Sequence, residues 1–294
     1  MMLYALGVAA MLARTTEQPK IGQNTRYPQA KLLIEVNELN NPKISGTFRL
    51  LDTRSKKEYQ AGHIAGAQWV DAAEWGKAFA TGQHPEEWSK RIGDLGMDTD
   101  VPVIVYGDAL TPDAGRIWWI LRYWGIKDVR LLNGGWHAWQ RENGITVKER
   151  TPVSARQPKL TPQTDRLATK EQLLEALKKG QWQIVDARSE AEFCGEKELA
   201  KRNGAIPGAV HLEWIDVIDK KSQRFKSPEQ LAKLFRDKKI DLDQPTVTHC
   251  QSGGRAAVMA FALELMGGKD VRNYYKSWSE WGNAEDTPIE KPKK

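Results

Sequence analysis

Cysteine is almost absent from this 294-residue chain: Cys194 and Cys250 are the only two. Two thiols without CxxC spacing exclude a disulfide framework, and the five histidines stand apart from them in sequence, so no zinc site is expected. Cysteine usage therefore leaves the compartment open. Long apolar runs are also missing. The uncharged stretch Met1 to Ala13 is too short to span a bilayer, so no stable membrane span is expected, although it has the length of a signal-peptide apolar region. A basic segment ahead of it is lacking, and Ala9-Ala10-Met11-Leu12-Ala13 makes only a rough cleavage pattern. One reading is a terminal helix packed on the body. The other is a leader over residues 1–26 removed on export, and polar Thr15 to Arg26 tilts the choice towards this exported, periplasmic reading over a cytoplasmic one. Finally, no basic run is interleaved with stacking aromatics, which argues against a nucleic-acid partner despite a net charge of +6. A mild basic balance of this kind suits small anionic substrates.

The chain does hold enough material for two domains, with 40% hydrophobic and 28% charged residues. Twelve tryptophans are available to fill cores and a domain interface. Self-comparison shows where the division falls. Leu50-Leu51-Asp52-Thr53-Arg54-Ser55, followed by Glu58-Tyr59, recurs as Ile184-Val185-Asp186-Ala187-Arg188-Ser189, followed by Glu192-Phe193. Gly62-His63-Ile64-Ala65-Gly66-Ala67 recurs as Gly204-Ala205-Ile206-Pro207-Gly208-Ala209, and Lys127-Asp128-Val129-Arg130 recurs unchanged as Lys269-Asp270-Val271-Arg272. Trp136 and Trp139 recur as Trp278 and Trp281, so the chain is a duplicated domain. Each half alternates β-rich runs (Arg49 to Asp52, Val101 to Tyr106, Val129 to Leu132; Gln183 to Asp186, Thr246 to His249, Val271 to Tyr274) with helical stretches. That alternation predicts an α/β fold, a parallel sheet covered by helices in each half, with sites at the carboxyl ends of strands. Pro152, Pro158 and Pro162 mark a semi-rigid linker between them.

Only one half can do thiolate chemistry. Thr246 to His249 reads as a strand, Cys250-Gln251-Ser252-Gly253-Gly254-Arg255 as a tight loop, and Ala256 to Met266 as a helix. A cysteine at a helix N-terminus meets unpaired backbone N–H groups and the positive end of the helix dipole, which favour the deprotonated, nucleophilic sulfur. Gly253 and Gly254 let those N–H groups converge into an anion nest, and Arg255 adds a permanent positive charge at the far rim. At the matching place the first half carries Tyr106-Gly107-Asp108-Ala109-Leu110, with no thiol and an acidic residue where an anion would sit. Cys194 has no such setting and reads as structural. Cysteine-dependent phosphatases carry five residues between cysteine and arginine; here four intervene, a smaller cradle that suits one sulfur atom better than a tetrahedral phosphoryl group.

These motifs, together with Arg116, Trp118 and Trp119 in the first half, resemble those of the tandem-domain rhodanese sulfurtransferases from about Tyr27 to Glu285. The resemblance implies an inactive rhodanese-like domain over 27–150, a Pro-rich linker over 151–165 and a catalytic rhodanese domain over 166–294. It also implies ping-pong sulfur transfer through a Cys250 persulfide, without metal or cofactor, from a small anionic donor to cyanide or another thiol. A monomer is expected. Gln251, Ser252, Gly253, Gly254 and Arg255 are the expected substrate contacts, Ser252 either bonding the sulfur or donor or serving only the turn. Arg188 is a further candidate, able also to pair with Glu192 four residues on. Familiar two-domain members often have an arginine where Glu192 stands, so Arg202 is the candidate for the missing charge. His249, at a strand end, is expected in the core rather than in catalysis. Thiosulfate enzymes of the family tend to carry basic residues in the loop and mercaptopyruvate enzymes a Cys-Gly-Ser/Thr-Gly loop. The Gln251-and-Arg255 pattern therefore favours thiosulfate as donor over 3-mercaptopyruvate, with a persulfide carrier serving a protein partner as a further alternative.

Overall fold

The computed structural model describes residues 26–293; the leader reading lies outside these residues but for Arg26. In the first half the strands are β1 (Leu33–Ile34), β2 (Arg49–Asp52), β3 (His63–Ile64), β4 (Gln68–Trp69), β5 (Val103–Tyr106), β6 (Val129–Leu132) and β7 (Thr146–Val147). The second half contributes β8 (Gln183–Asp186), β9 (Val210–His211), β10 (Thr246–His249) and β11 (Val271–Asn273). Helices α1 (Val36–Leu39), α2 (Pro42–Ser45), α3 (Lys56–Ala61), α4 (Ala72–Thr81), α5 (Pro85–Gly93), α6 (Pro112–Tyr123) and α7 (Gly135–Arg141) belong to the first half. α8 (Lys170–Lys179), α9 (Glu190–Phe193), α10 (Pro228–Asp237), α11 (Gly254–Leu265) and α12 (Ser277–Trp281) belong to the second.

Two parallel sheets result, ordered β1-β6-β5-β2-β4 and β11-β10-β8-β9, while β3 and β7 form a small antiparallel pair. The α/β class expected from the alternation is therefore observed. Register repeats the duplication: Asp52 pairs with Tyr106 at the strand ends of one sheet as Asp186 pairs with His249 in the other. Alternation along a strand divides the side chains between two cores. Leu51, Val103 and Val105 face one apolar cluster, and Leu50, Ile104 and Tyr106 face another.

The first of these clusters runs through both halves, because α6 packs on α11. α11 is apolar on nearly every side and buried along nearly its whole length, the signature of a core helix. Gly115 of α6 makes the close approach possible: a Cβ there would lie 2.7 Å from Val258 Cγ2. The tryptophan expectation is met around this contact. Trp118 meets Phe261 edge-on at 4.8 Å and Trp119 stacks on Tyr275 at 5.3 Å. Truncating either buried indole to alanine would cost about 3–5 kcal/mol. The segment after β7 runs without regular structure along α5 and α6, tied by Arg156 N–H to Gly93 O, Ser89 Oγ to Pro158 O and Gln163 N–H to Tyr123 O. Among the described residues no helix is long and apolar enough to cross a membrane.

Candidate active site

The carboxyl ends of β8 and β10 place Asp186 and His249 side by side, and the chain then turns at Cys250 into α11. Helix α11 starts at Gly254, earlier than the sequence suggested, so Arg255 sits in its first turn rather than at the rim of a loop. Gly253 is the N-cap in the left-handed region, φ 86°, and a Cβ on it would lie 2.8 Å from the Tyr275 ring and carbonyl oxygen. Cys250 is 1% exposed.

Every carbonyl from Cys250 to Gly253 is held by a donor from elsewhere. Trp278 N–H donates to Cys250 O, Ser279 N–H to Gln251 O, Arg116 Nη1 to Ser252 O, and Asn273 Nδ2 to Gly253 O. In a trans peptide the N–H points opposite to the C=O of the same unit. Holding these four carbonyls therefore turns the N–H groups of Gln251, Ser252, Gly253 and Gly254 the other way. Among the described residues no group accepts from them or from Arg255 N–H. The Cys250 N–H is the exception and donates to Ser277 Oγ at 3.0 Å. A run of unpartnered donors beside a thiol at a helix start is an anion nest built by tertiary contacts.

Arg255 donates to both oxygens of Glu192, at 2.7 and 2.8 Å, and interacts electrostatically with the Cys250 side chain. Burial opposes its charge, yet the hydrogen bond to Glu192 and the charges of Glu192 and Cys250 outweigh it and raise its pKa above the usual guanidinium value. For Glu192, burial favours the neutral acid, but bonds from Arg255 and Ser189 win and bring it down to about 2. The same carboxylate closes the N-terminal capping box of α9 with Ser189.

Two expected contacts, Arg188 and Arg202, are engaged elsewhere. Arg188 does not face an open pocket and does not pair with Glu192. It is 1% exposed, forks back to Asp186 through Nε and Nη2, donates to Gly204 O at 2.7 Å, and lies 4.2 Å above the Trp278 ring. Arg54 repeats each of these contacts in the first half, with Asp52, Gly62 O and Trp136, so the motif is a strand-end brace. Because α9 begins only at Glu190, Arg188 and Glu192 do not share a helix face. Arg202 is spent on the C-terminal segment: it donates to the carbonyls of Trp281, Ala284 and Thr287 and to Thr287 Oγ1. It brings no charge to Cys250. Gln251 is half-buried, its Nε2 donating to Leu199 O and its Oε1 buried without a partner among the described residues, while Ser252 is exposed. His249 is fully buried against Asp186, with Nε2 3.4 Å from Oδ2, and burial lowers its pKa to about 4 against the opposing pull of Asp186. It is neutral near pH 7. Cys194 is a free, half-buried thiol at the end of α9.

The residues that pin the loop were not singled out for that role by sequence reasoning: Asn273, Ser277, Trp278 and, from the other half, Arg116. The repeat did mark Trp278, and the Arg116-x-Trp-Trp run stood out in the half without a thiol.

A site of this construction suits a thiolate that takes up and gives back a small group. The chain's lineage is specific. The rhodanese-like domain profile matches residues 35–142 and again 169–284, and the chain belongs to that family. It is 34% identical over 268 residues to thiosulfate sulfurtransferase of Azotobacter vinelandii, covering 90% of this chain and 98% of the relative. It is 29% identical over 246 residues to 3-mercaptopyruvate sulfurtransferase of Escherichia coli (strain K12), covering 81% and 87%. In fold it matches the anaerobic ergothioneine biosynthesis enzyme from Chlorobium limicola, with TM-score 0.81 and 22% identity over 90% of this chain and 71% of that one. The protein is a tandem-domain sulfurtransferase.

Proposed function

We propose that this chain transfers the sulfane sulfur of thiosulfate to cyanide or a thiol through a persulfide on Cys250. The observation that carries the reading is the nest of unpartnered N–H groups from Gln251 to Arg255 around a buried thiol, with an oriented guanidinium beside it. In the first half-reaction the Cys250 thiolate attacks the outer sulfur of thiosulfate. The sulfur–sulfur bond breaks, sulfite leaves with the electron pair, and a cysteine persulfide remains. In the second, cyanide attacks the outer persulfide sulfur, thiocyanate departs and the thiolate returns. The charge stays within the same nest throughout, so no donor has to reorganise between the two steps.

Thiosulfate is favoured over 3-mercaptopyruvate by the supply of cations. Arg188 and Arg202 are engaged in braces, and Arg255 has given two N–H groups to Glu192, leaving three of the five guanidinium donors. Thiosulfate carries its charged oxygens on the atom bonded to the attacked sulfur, within reach of the nest and the remaining edge of Arg255, whereas 3-mercaptopyruvate holds its carboxylate two carbons away from its sulfur, where Arg188 and Arg202 offer no free guanidinium. Steady-state kinetics with each donor and cyanide, on wild type and Cys250→Ser, test this. Thiosulfate turnover lost in Cys250→Ser, with a one-sulfur adduct on the Cys250 peptide of wild type, is the expected result. Turnover in Cys250→Ser would overturn the nucleophile, and a strong preference for 3-mercaptopyruvate would overturn the donor.

A further inference from the structure

We propose that Arg116, supplied by the half that has no thiol, is a positioning residue for the sulfur-transfer loop, acting across the domain interface. It extends the Cys250 reading above and rests on it. Arg116 Nη1 donates to Ser252 O at 2.9 Å and to the Tyr275 hydroxyl at 2.7 Å. The second bond leaves the Tyr275 hydroxyl to donate to Gly76 O of α4, at 3.5 Å. Each of the other three loop carbonyls is held by a donor of the second half itself; Ser252 O alone depends on the first half. The peptide it belongs to carries the Gly253 N–H, at the centre of the nest. Letting that carbonyl go would allow the Ser252–Gly253 peptide to flip, with Gly253 the residue best able to absorb the change.

Small residues keep this approach open. A Cβ on Gly254 would stand 2.8 Å from Arg116 Nη2, and one on Gly76 would stand 2.7 Å from Nη1. The loop glycine thus has a use that backbone conformation does not require, since Gly254 lies inside α11. Tyr275 lies between the two sites: burial raises its pKa, the Arg116 charge lowers it and the Cys250 charge raises it, so its hydroxyl is near both. The half without a thiol is therefore part of the active site through one side chain.

The test uses the full chain in a Cys194→Ser background, so that Cys250 is the only thiol. Iodoacetamide alkylation is followed across pH, alongside thiosulfate:cyanide kinetics. Arg116→Met is expected to slow alkylation about tenfold near neutrality while leaving the alkaline plateau unchanged, and to lower kcat about tenfold more than it raises KM. Arg116→Lys restores part of both effects, because it keeps a charged donor but on a shorter side chain than the guanidinium Nη1 that makes both bonds. Gly76→Ala crowds Nη1 without removing the guanidinium and should slow alkylation in the same pH range; it carries the test if Arg116→Met does not fold. An unchanged alkylation profile in the folded variants, even with a lower Tm, would reduce Arg116 to interface cement and overturn the proposal. Sulfur transfer surviving in Cys250→Ser would instead overturn the nucleophile itself, a result the Arg116 variants cannot produce.

Discussion

Arg255 and Glu192, 63 residues apart, share two parallel hydrogen bonds beside Cys250. Glu192 is 3% exposed, so the pair is fixed rather than fluctuating at the surface. Two consequences compete in it: the carboxylate orients the guanidinium, and it also cancels much of the field that would draw in a dianion. Glu192→Gln separates them. Thiosulfate KM should fall severalfold as the cation is released, with a steeper dependence on ionic strength. Stability should fall by about 1–2 kcal/mol from the lost charge-assisted bonds. A KM that rises would show that orientation outweighs charge.

The same pair sets an acid limb. Glu192 has a lower pKa folded, about 2, than its ordinary value of 4.5. Its contribution to stability is therefore complete above about pH 4.5 and disappears as pH falls towards 2. Denaturant titrations of wild type and Glu192→Gln at a series of pH values should converge across that window.

His249 acts in a higher window. Its pKa is about 4 in the folded protein and 6.5 ordinarily, so between those values the unfolded chain takes a proton that the folded chain refuses. Stability should decline as pH drops from 6.5 to 4, by about 3 kcal/mol in all. His249→Phe should remove that decline. Tyr106 holds the matching place in the first half, which shows that an uncharged aromatic is accommodated beside the same Asp–Arg brace. A His249→Phe protein with an unchanged slope from pH 6.5 to 4 would count against this account.

Arg188→Met should be a stability mutation. It leaves Asp186, which is fully buried, without its forked partner, and such a loss costs about 3–5 kcal/mol. In whatever protein folds, thiosulfate KM should stay within about twofold of wild type, since Arg188 touches no open surface. A tenfold rise in KM with little change in stability would restore it as a donor contact.

Arg202→Ala should unfasten residues 284–290. Four oxygen acceptors lose one donor, at a cost of about 2 kcal/mol. Faster hydrogen exchange of that segment, with unchanged KM, is the expected pattern.

Much of the architecture was legible because it is local or repeated. Strand ends at Asp52 and Asp186 follow from β-rich runs stopped by a polar residue, and the loop at Cys250 follows from two glycines between a strand and an apolar helix. The errors came from long-range partners. Arg188 looked able to reach Glu192 on a shared helix face, but the helix starts too late, and Asp186, two residues back, is nearer. Glu192 looked like a missing cation, and it is the ligand of a distant one. Arg202 looked like a spare charge, and the C-terminal segment has taken it.

The chain by itself determined the duplication, the parallel α/β class and the single thiol in a glycine-containing turn, because period, composition and spacing are properties of neighbouring residues. Only the tertiary structure decided which carbonyls of that turn are held and by whom, and so which N–H groups remain for a sulfur anion. It also decided that Arg255 arrives already paired, and that the half without a thiol reaches the loop through Arg116. Those are contacts between residues tens to more than a hundred positions apart, fixed by how α6 packs on α11 and how β8 lies beside β10, and no local pattern encodes them.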